Sequence, residues 1–305
     1  MMIDFHAHIG RLVKSRSEFT DAACLVNRMD AWGIDMACVL PVSETPEPGI
    51  LEADTEDVLA ACSLYPSRLI PFCLIDPRFR GNDPKAEFGD LLTEYRARGC
   101  RGFGEVTAKM PADDPRMLNV FRQAGRAELP VLFHMRAGEQ RYGLTDDPGL
   151  PRLERALQEC PDTAFIGHAQ TFWAEIAADV PEADRAGYPS GPIRAPGAVP
   201  RLMAQYENLW GDLCASGYLA IARDAAFGLE FLDQFQDKLL FGLDCCQRNM
   251  TVGQRPIVAF FRKLRDEALL PEAAWAKLAA GNACRLLGLS FDRLTTGQTK
   301  EGKTP

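Results

Sequence analysis

The chain has 305 residues, 47% of them hydrophobic and 25% charged; that balance is ordinary for a globular enzyme, and one barrel-type domain of roughly 250 residues plus insertions fits the length. No stretch approaches the roughly 20 uninterrupted apolar residues of a membrane helix, and a formal net charge of -8 opposes a broad basic surface for nucleic acid. Ten scattered cysteines without a C-x-x-C pair suit a reduced compartment, and Met1-Met2-Ile3-Asp4-Phe5-His6 has no secretory pattern, so a cytoplasmic location is expected.

From the amino end, short apolar runs alternate with helical patterns. The first predicted strand is Ile3–Ile9, followed by a helix over Asp21–Trp32 that stops at Gly33. Strand Met36–Val42 leads to helix Asp54–Tyr65, and strand Leu69–Ile75 to helix Asp83–Arg98. Strand Arg101–Val106 precedes helix Pro115–Glu128, and strands Pro130–Arg136, Ala164–Ala169, Leu209–Ala215 and Leu239–Cys245 follow. Capping residues at the starts and Gly or Pro past the ends support these limits. Eight alternations predict an α/β fold of the (β/α)8 barrel type. An open doubly wound sheet is the alternative, but no G-x-G-x-x-G follows the first strand.

Two segments break the rhythm. Residues 170–200, after the sixth strand, are rich in Pro, Gly and charge and predict a long binding loop or lid on the catalytic side. The tail 295–305 is polar and predicts disorder, which leaves residues 1–294 as the barrel. Helical patterns at Ile257–Ala268, Pro271–Ala280 and Asn282–Leu287 supply extra helices at the carboxyl end.

The four histidines are the most informative residues. His6 and His8 lie in strand 1, His134 in strand 5 and His168 in strand 6. Alternation puts Asp4, His6 and His8 on one face and Phe5, Ala7 and Ile9 on the other. A single such histidine is ordinarily a hydrogen-bonded core residue. An inward Asp-x-His-x-His joined by two more strand-borne histidines is costly unless paired or bound, and it points to a divalent metal. Strand 8 ends in Asp244, the carboxylate such a site needs. Strand 4 offers Glu105, read as sharing a face with Phe103 while Gly102 and Gly104 face the helices; a salt-bridged surface role competes equally there.

Asp4-Phe5-His6-Ala7-His8, Phe133-His134, Ile166-Gly167-His168 and Phe241-Gly242-Leu243-Asp244 together resemble the amidohydrolase superfamily, in its amidohydrolase-2 branch of metal-dependent TIM-barrel hydrolases and decarboxylases. The resemblance implies that His6, His8, His134 and Asp244 are metal-site residues. It implies that His168 holds a second ion or acts as an acid/base. Glu105 stands where some subgroups carry a carboxylated lysine and where TatD-like members carry glutamate. One ion is implied, or two if Glu105 bridges; zinc is the expected metal and manganese the alternative.

A metal held by imidazoles and a carboxylate brings the pKa of bound water to roughly 7. Asp244 would then serve as general acid/base and His168 as oxyanion stabiliser, cleaving an amide, ester or lactone. A decarboxylase of an aromatic or unsaturated acid is the alternative, and a non-catalytic metal-binding barrel a lesser one. Arg136, two residues past His134, is read as a substrate-carboxylate ligand or a rim ion pair. Trp173 is read as stacking on a substrate or anchoring its loop. Asp212, Cys214 and Ser216 share a face of strand 7, but no thiol mechanism follows. The expected partner is a small, anionic substrate, with a homodimer as the candidate assembly and no nucleic acid or membrane.

Overall fold

Eight parallel strands organise the computed structural model, which describes residues 1–12, 19–47, 51–245 and 251–290. They are β1 (Ile3–Ala7), β2 (Met36–Val39), β3 (Leu69–Cys73), β4 (Gly102–Val106), β5 (Val131–Arg136), β6 (Phe165–His168), β7 (Leu209–Asp212) and β8 (Leu239–Leu240), paired in that order. The ring closes where the chain after β8 returns to β1. The Phe5 N–H donates to the Phe241 carbonyl at 2.9 Å, the Asp244 N–H to the His6 carbonyl at 2.8 Å, and Ala7 bridges Cys245. This is the (β/α)8 barrel, not the open sheet.

Local chemistry sets the helix limits. Asp21 caps the helix Ala22–Trp32 by accepting from the Cys24 N–H at 2.7 Å, and Gly33 ends it in the left-handed region at φ 63°. Asp54 and Asp57 form a reciprocal capping box on Thr55–Leu64. The predicted helix over Asp83–Arg98 starts later, at Gly89. Asp83 instead holds the Lys85 N–H at 2.8 Å in a turn around Pro84. Segment 170–200 is also less irregular than expected. Residues Ala169–Ala174 and Ala198–Gln205 are helical, and Arg185, buried beneath the connection, bonds Glu175 at 2.8 Å and the Asp147 carbonyl at 3.2 Å.

Two apolar layers flank the strands. Outside the ring, Val39, Phe103, Val131, Phe133 and Phe165 pack with side chains of the surrounding helices. Inside it, Ile3, Phe5, Ile70, Phe72, Leu132, Ile166, Trp210 and Leu240 fill the barrel, and Ala283 and Leu287 of the helix Asn282–Leu287 join them. Burying a side chain of this size contributes roughly 1.5–3 kcal/mol. Among the described residues no helix is long and apolar enough to cross a membrane. The predicted tail from Thr295 lies outside the described residues.

Candidate active site

The site begins one pleat above the apolar filling. Side chains two apart on a strand share a face, so Leu132 is followed inward by His134, Ile166 by His168, Trp210 by Asp212 and Leu240 by Gly242. Strands β1 and β4 arrive by a different route. Between Asp4 and Ala7, β1 has one residue more than the matching stretch of β2, Ala37 to Val39. Between Phe103 and Val106, β4 likewise has one more than Val131 to Phe133 of β5. An extra residue reverses the alternation.

Those two irregularities correct the expected faces. Phe5 lies inside the barrel with Phe72, at a ring separation of 5.6 Å, and not against the helices. His6 and His8 nevertheless turn into the site. Asp4 does not join them; it accepts from the Leu243 N–H at 2.9 Å and the His6 N–H at 3.1 Å, tying β1 to the chain after β8. Phe103 faces the helices, and Gly102 faces inward, where a Cβ would lie 2.3 Å from the Phe72 ring. Glu105 is buried among the histidines at 5% exposure and is not a surface residue. Gly104 makes this turn feasible. Its φ is +127°, and a Cβ there would stand 2.2 Å from the Leu132 carbonyl oxygen.

The polar groups converge in a definite order. His6 Nε2 and His8 Nε2 are 2.9 Å apart. Glu105 Oε2 lies 3.6 and 3.4 Å from them, and Asp244 Oδ1 lies 3.8 and 3.6 Å from them. The second oxygen of each carboxylate faces another histidine. Glu105 Oε1 is 2.7 Å from His134 Nδ1 and 3.6 Å from His168 Nε2, and Asp244 Oδ2 is 3.8 Å from His168 Nε2. The expected ligands therefore divide. His6, His8 and Asp244 form one donor group, and His134 stands in another with Glu105 and His168; His6 and His168 also meet Asp212 and Cys214 in a third.

These residues fit a divalent ion. His6 Nδ1 meets Asp212 Oδ2 at 2.7 Å, His8 Nδ1 the Leu40 carbonyl at 2.9 Å, and His168 Nδ1 Asp212 Oδ2 at 3.0 Å. Each Nε2 is left turned to the carboxylates, which is how histidine ligands are ordinarily fixed. Bonds of about 2.1 Å at tetrahedral angles place donors about 3.4 Å apart, close to the 3.4–3.8 Å between those nitrogens and oxygens.

Charge follows the same layout. Burial alone would lower the pKa of His6, but Asp244 and Asp212 lift it well above the usual value. His8 is likewise raised to about 9 against the effect of burial, by Asp244 and Glu105. Burial would raise Glu105, yet His134, His6 and His8 hold it well below the usual carboxylate range. Burial would raise Asp244 too; His6, His8 and His168 outweigh it, and the group stays ionised. His134 is lowered by burial, which Glu105 only partly offsets. Asp244 takes the left-handed conformation at φ 51° and keeps a 28% exposed side chain, the most open of the group.

Arg136 and Trp173 are the substrate contacts expected around this centre. Arg136 continues the inward face of β5 and is buried; its guanidinium reaches the Gly138 carbonyl, and its Nε has no hydrogen-bond partner among the described residues. Trp173 does not line the site. It is enclosed at 1% exposure, donates to the Asp212 carbonyl at 2.9 Å and packs against Phe172 and Phe231. Tyr142 stands 4.8 Å ring to ring from His134, and Tyr188 lines a small cleft with Gln170 and Trp173. Tyr188 is half exposed and accepts from Gln170 at 2.8 Å; burial raises its pKa, and the charge of Asp244 adds to the rise. The sequence puts Asp212 on a face of strand 7 with Cys214 and Ser216 and assigns it no role. Its position two residues past an inward Trp210 was the signal available.

Fold and site together define a (β/α)8 barrel with a histidine–carboxylate centre suited to a divalent cation. A family model, Amidohydro_2 (amidohydrolase), matches residues 3–289, and the chain belongs to that family. Among solved structures it is similar to the probable 2-pyrone-4,6-dicarboxylic acid hydrolase of Acinetobacter baumannii, at 14% identity over 94% of this chain and 99% of that one, TM-score 0.58. It is also similar to 5-carboxyvanillate decarboxylase of Sphingomonas paucimobilis, at 15% identity over 95% and 99%, TM-score 0.54. A third is 4-oxalomesaconate hydratase of Rhodopseudomonas palustris, at 14% identity over 98% and 99%, TM-score 0.55. Likeness at these identities is of fold. No curated protein matches the sequence.

Proposed function

We propose that this protein is a metal-dependent hydrolase that opens an amide, ester or lactone bond in a small anionic molecule. The observation that carries the reading is the division of Glu105, one oxygen towards His6 and His8 and the other towards His134 and His168. A carboxylate so placed can bridge two donor groups, the arrangement of two-metal hydrolytic sites. His6, His8 and Asp244 would hold one ion, and Glu105 with His134 and His168 a second; zinc is the expected metal and manganese the alternative. Such ions supply a water nucleophile at neutral pH.

The chain's own groups do the rest. Asp244, ionised and the most exposed member, accepts the proton of the attacking water and returns it to the leaving group. His168 Nε2 lies beside Asp244 Oδ2; with a single ion bound that nitrogen is free to donate to the oxygen that gains charge, whereas with two it is a ligand and the second ion would take that part. Arg136, buried with an Nε that has no partner among the described residues, binds a substrate carboxylate. The test is a panel of lactones, esters and amides, each bearing a carboxylate, assayed with the zinc- or manganese-loaded protein for acid release. Hydrolysis that falls roughly 100-fold or more in Asp244→Asn is expected; hydrolysis unchanged in that variant would sink the reading.

Decarboxylation is the second reading, favoured by Arg136 as a carboxylate anchor. Carbon dioxide release from aromatic or unsaturated acids, without acid release from the ester panel, would establish it instead.

A further inference from the structure

Asp212 is completely buried, and its two oxygens accept three N–H groups. Oδ2 faces His6 Nδ1 at 2.7 Å and His168 Nδ1 at 3.0 Å, while Oδ1 accepts from the Cys214 backbone N–H at 3.1 Å. Two further features hold the carboxylate in place. The Trp173 indole N–H donates to the Asp212 carbonyl at 2.9 Å. Gly242 opposite has no Cβ, and one built there would stand 2.3 Å from Asp212 Oδ1 and 3.3 Å from His6 Cβ.

We propose that Asp212 is the positioning residue that ties the two halves of the centre together, by holding His6 and His168 through a single carboxylate oxygen. Donation of Nδ1–H to that oxygen leaves both Nε2 atoms facing Glu105 and Asp244. His6 comes from β1 and His168 from β6, on different sides of the ring, and Asp212 on β7 joins them. Asparagine has the same shape but cannot replace it. Whichever way its amide is turned, the NH2 group meets an N–H: the two imidazoles on one side, or the Cys214 backbone on the other. The Cys214 thiol also lies 3.0 Å from His168 Nδ1, but sulfur is a weak acceptor.

The inference rests on the metal-site reading of His6, and the test separates the two. Zinc affinity is measured by chelator competition, and the visible spectrum of the cobalt(II)-loaded protein is recorded, for wild type, Asp212→Asn, Gly242→Ala and Cys214→Ser. Asp212→Asn is expected to bind zinc roughly 10–100-fold more weakly, the usual effect of removing a histidine's outer partner. Its cobalt spectrum changes, while Cys214→Ser keeps both properties of the wild type. Gly242→Ala displaces the carboxylate without removing it and is expected to weaken zinc in the same direction, which serves if Asp212→Asn does not fold. Zinc affinity and cobalt spectrum equal to wild type in Asp212→Asn overturn this inference alone. An equal loss in Cys214→Ser also overturns it, because the thiol would then be the partner that matters. A wild-type protein that takes up neither ion overturns the metal-site reading, and this inference with it.

Discussion

Glu105 and His134 meet at 2.7 Å, across two adjacent strands, inside a site from which solvent is nearly excluded. That contact separates His134 from the His6–His8 pair and gives Glu105 its intermediate position. Replacing Glu105 by Gln keeps the shape and removes the charge facing His6, His8 and His168. Metal content should fall by about one ion per chain, with hydrolysis reduced by roughly 100-fold or more. Elemental analysis of the variant beside the wild type measures the first effect. Unchanged metal content would place Glu105 outside the donor set.

The bulge in β4 depends on Gly104. Any side chain there would have φ +127° and a Cβ 2.2 Å from the Leu132 carbonyl. Gly104→Ala is expected to cost on the order of 2–3 kcal/mol, read as a drop in melting temperature of the metal-free protein. A variant as stable as wild type would mean the strand can straighten, taking Glu105 out of the site.

His8 makes stability and metal binding depend on pH in opposite directions. In the metal-free protein His8 is raised from 6.5 to about 9; burial alone would lower it, and the carboxylates of Asp244 and Glu105 more than offset that. A raised base stabilises the fold below its unfolded value of 6.5, and that contribution is lost as pH rises through about 9. Metal binding needs the neutral ring and has the opposite slope. Melting of metal-free protein should therefore fall over the interval in which zinc affinity rises, with protons released on binding. Calorimetry in buffers of different ionisation enthalpy measures the release. Affinity independent of pH would contradict the reading.

Trp173→Phe separates packing from substrate contact. The enclosed indole spans Phe172, Phe231 and the Asp212 carbonyl, so its loss should lower the melting temperature by the equivalent of roughly 1–3 kcal/mol and leave KM nearly unchanged. Tyr188→Phe should do the reverse, altering KM with little effect on stability. The opposite split would return Trp173 to the substrate.

Much of this arrangement was legible in the residues. The strand cores, the cap at Asp21, the four histidines and the acid at Asp244 follow from alternation and from the ends of apolar runs. The faces of Phe5 and Glu105 were not legible, because a bulge is set by the register of the partner strand; Gly104 marks where β4 can bulge but not that it does, and nothing within Asp4–Ala7 records the bulge in β1. Strand β8 also ended early, at Leu240, since Phe241 turns its N–H to the Leu278 carbonyl at 3.1 Å. The part Asp212 plays was not legible for another reason. The residue lacks motif spacing, and its part emerges only when β1, β6 and β7 are neighbours in space.

The most direct test is the metal content of wild-type protein purified without chelator and then reconstituted with zinc or manganese. About two ions per chain are expected, one for each donor group that Glu105 adjoins. About one ion would contradict the bridging role of Glu105, and none after reconstitution would contradict the metal-dependent reading altogether.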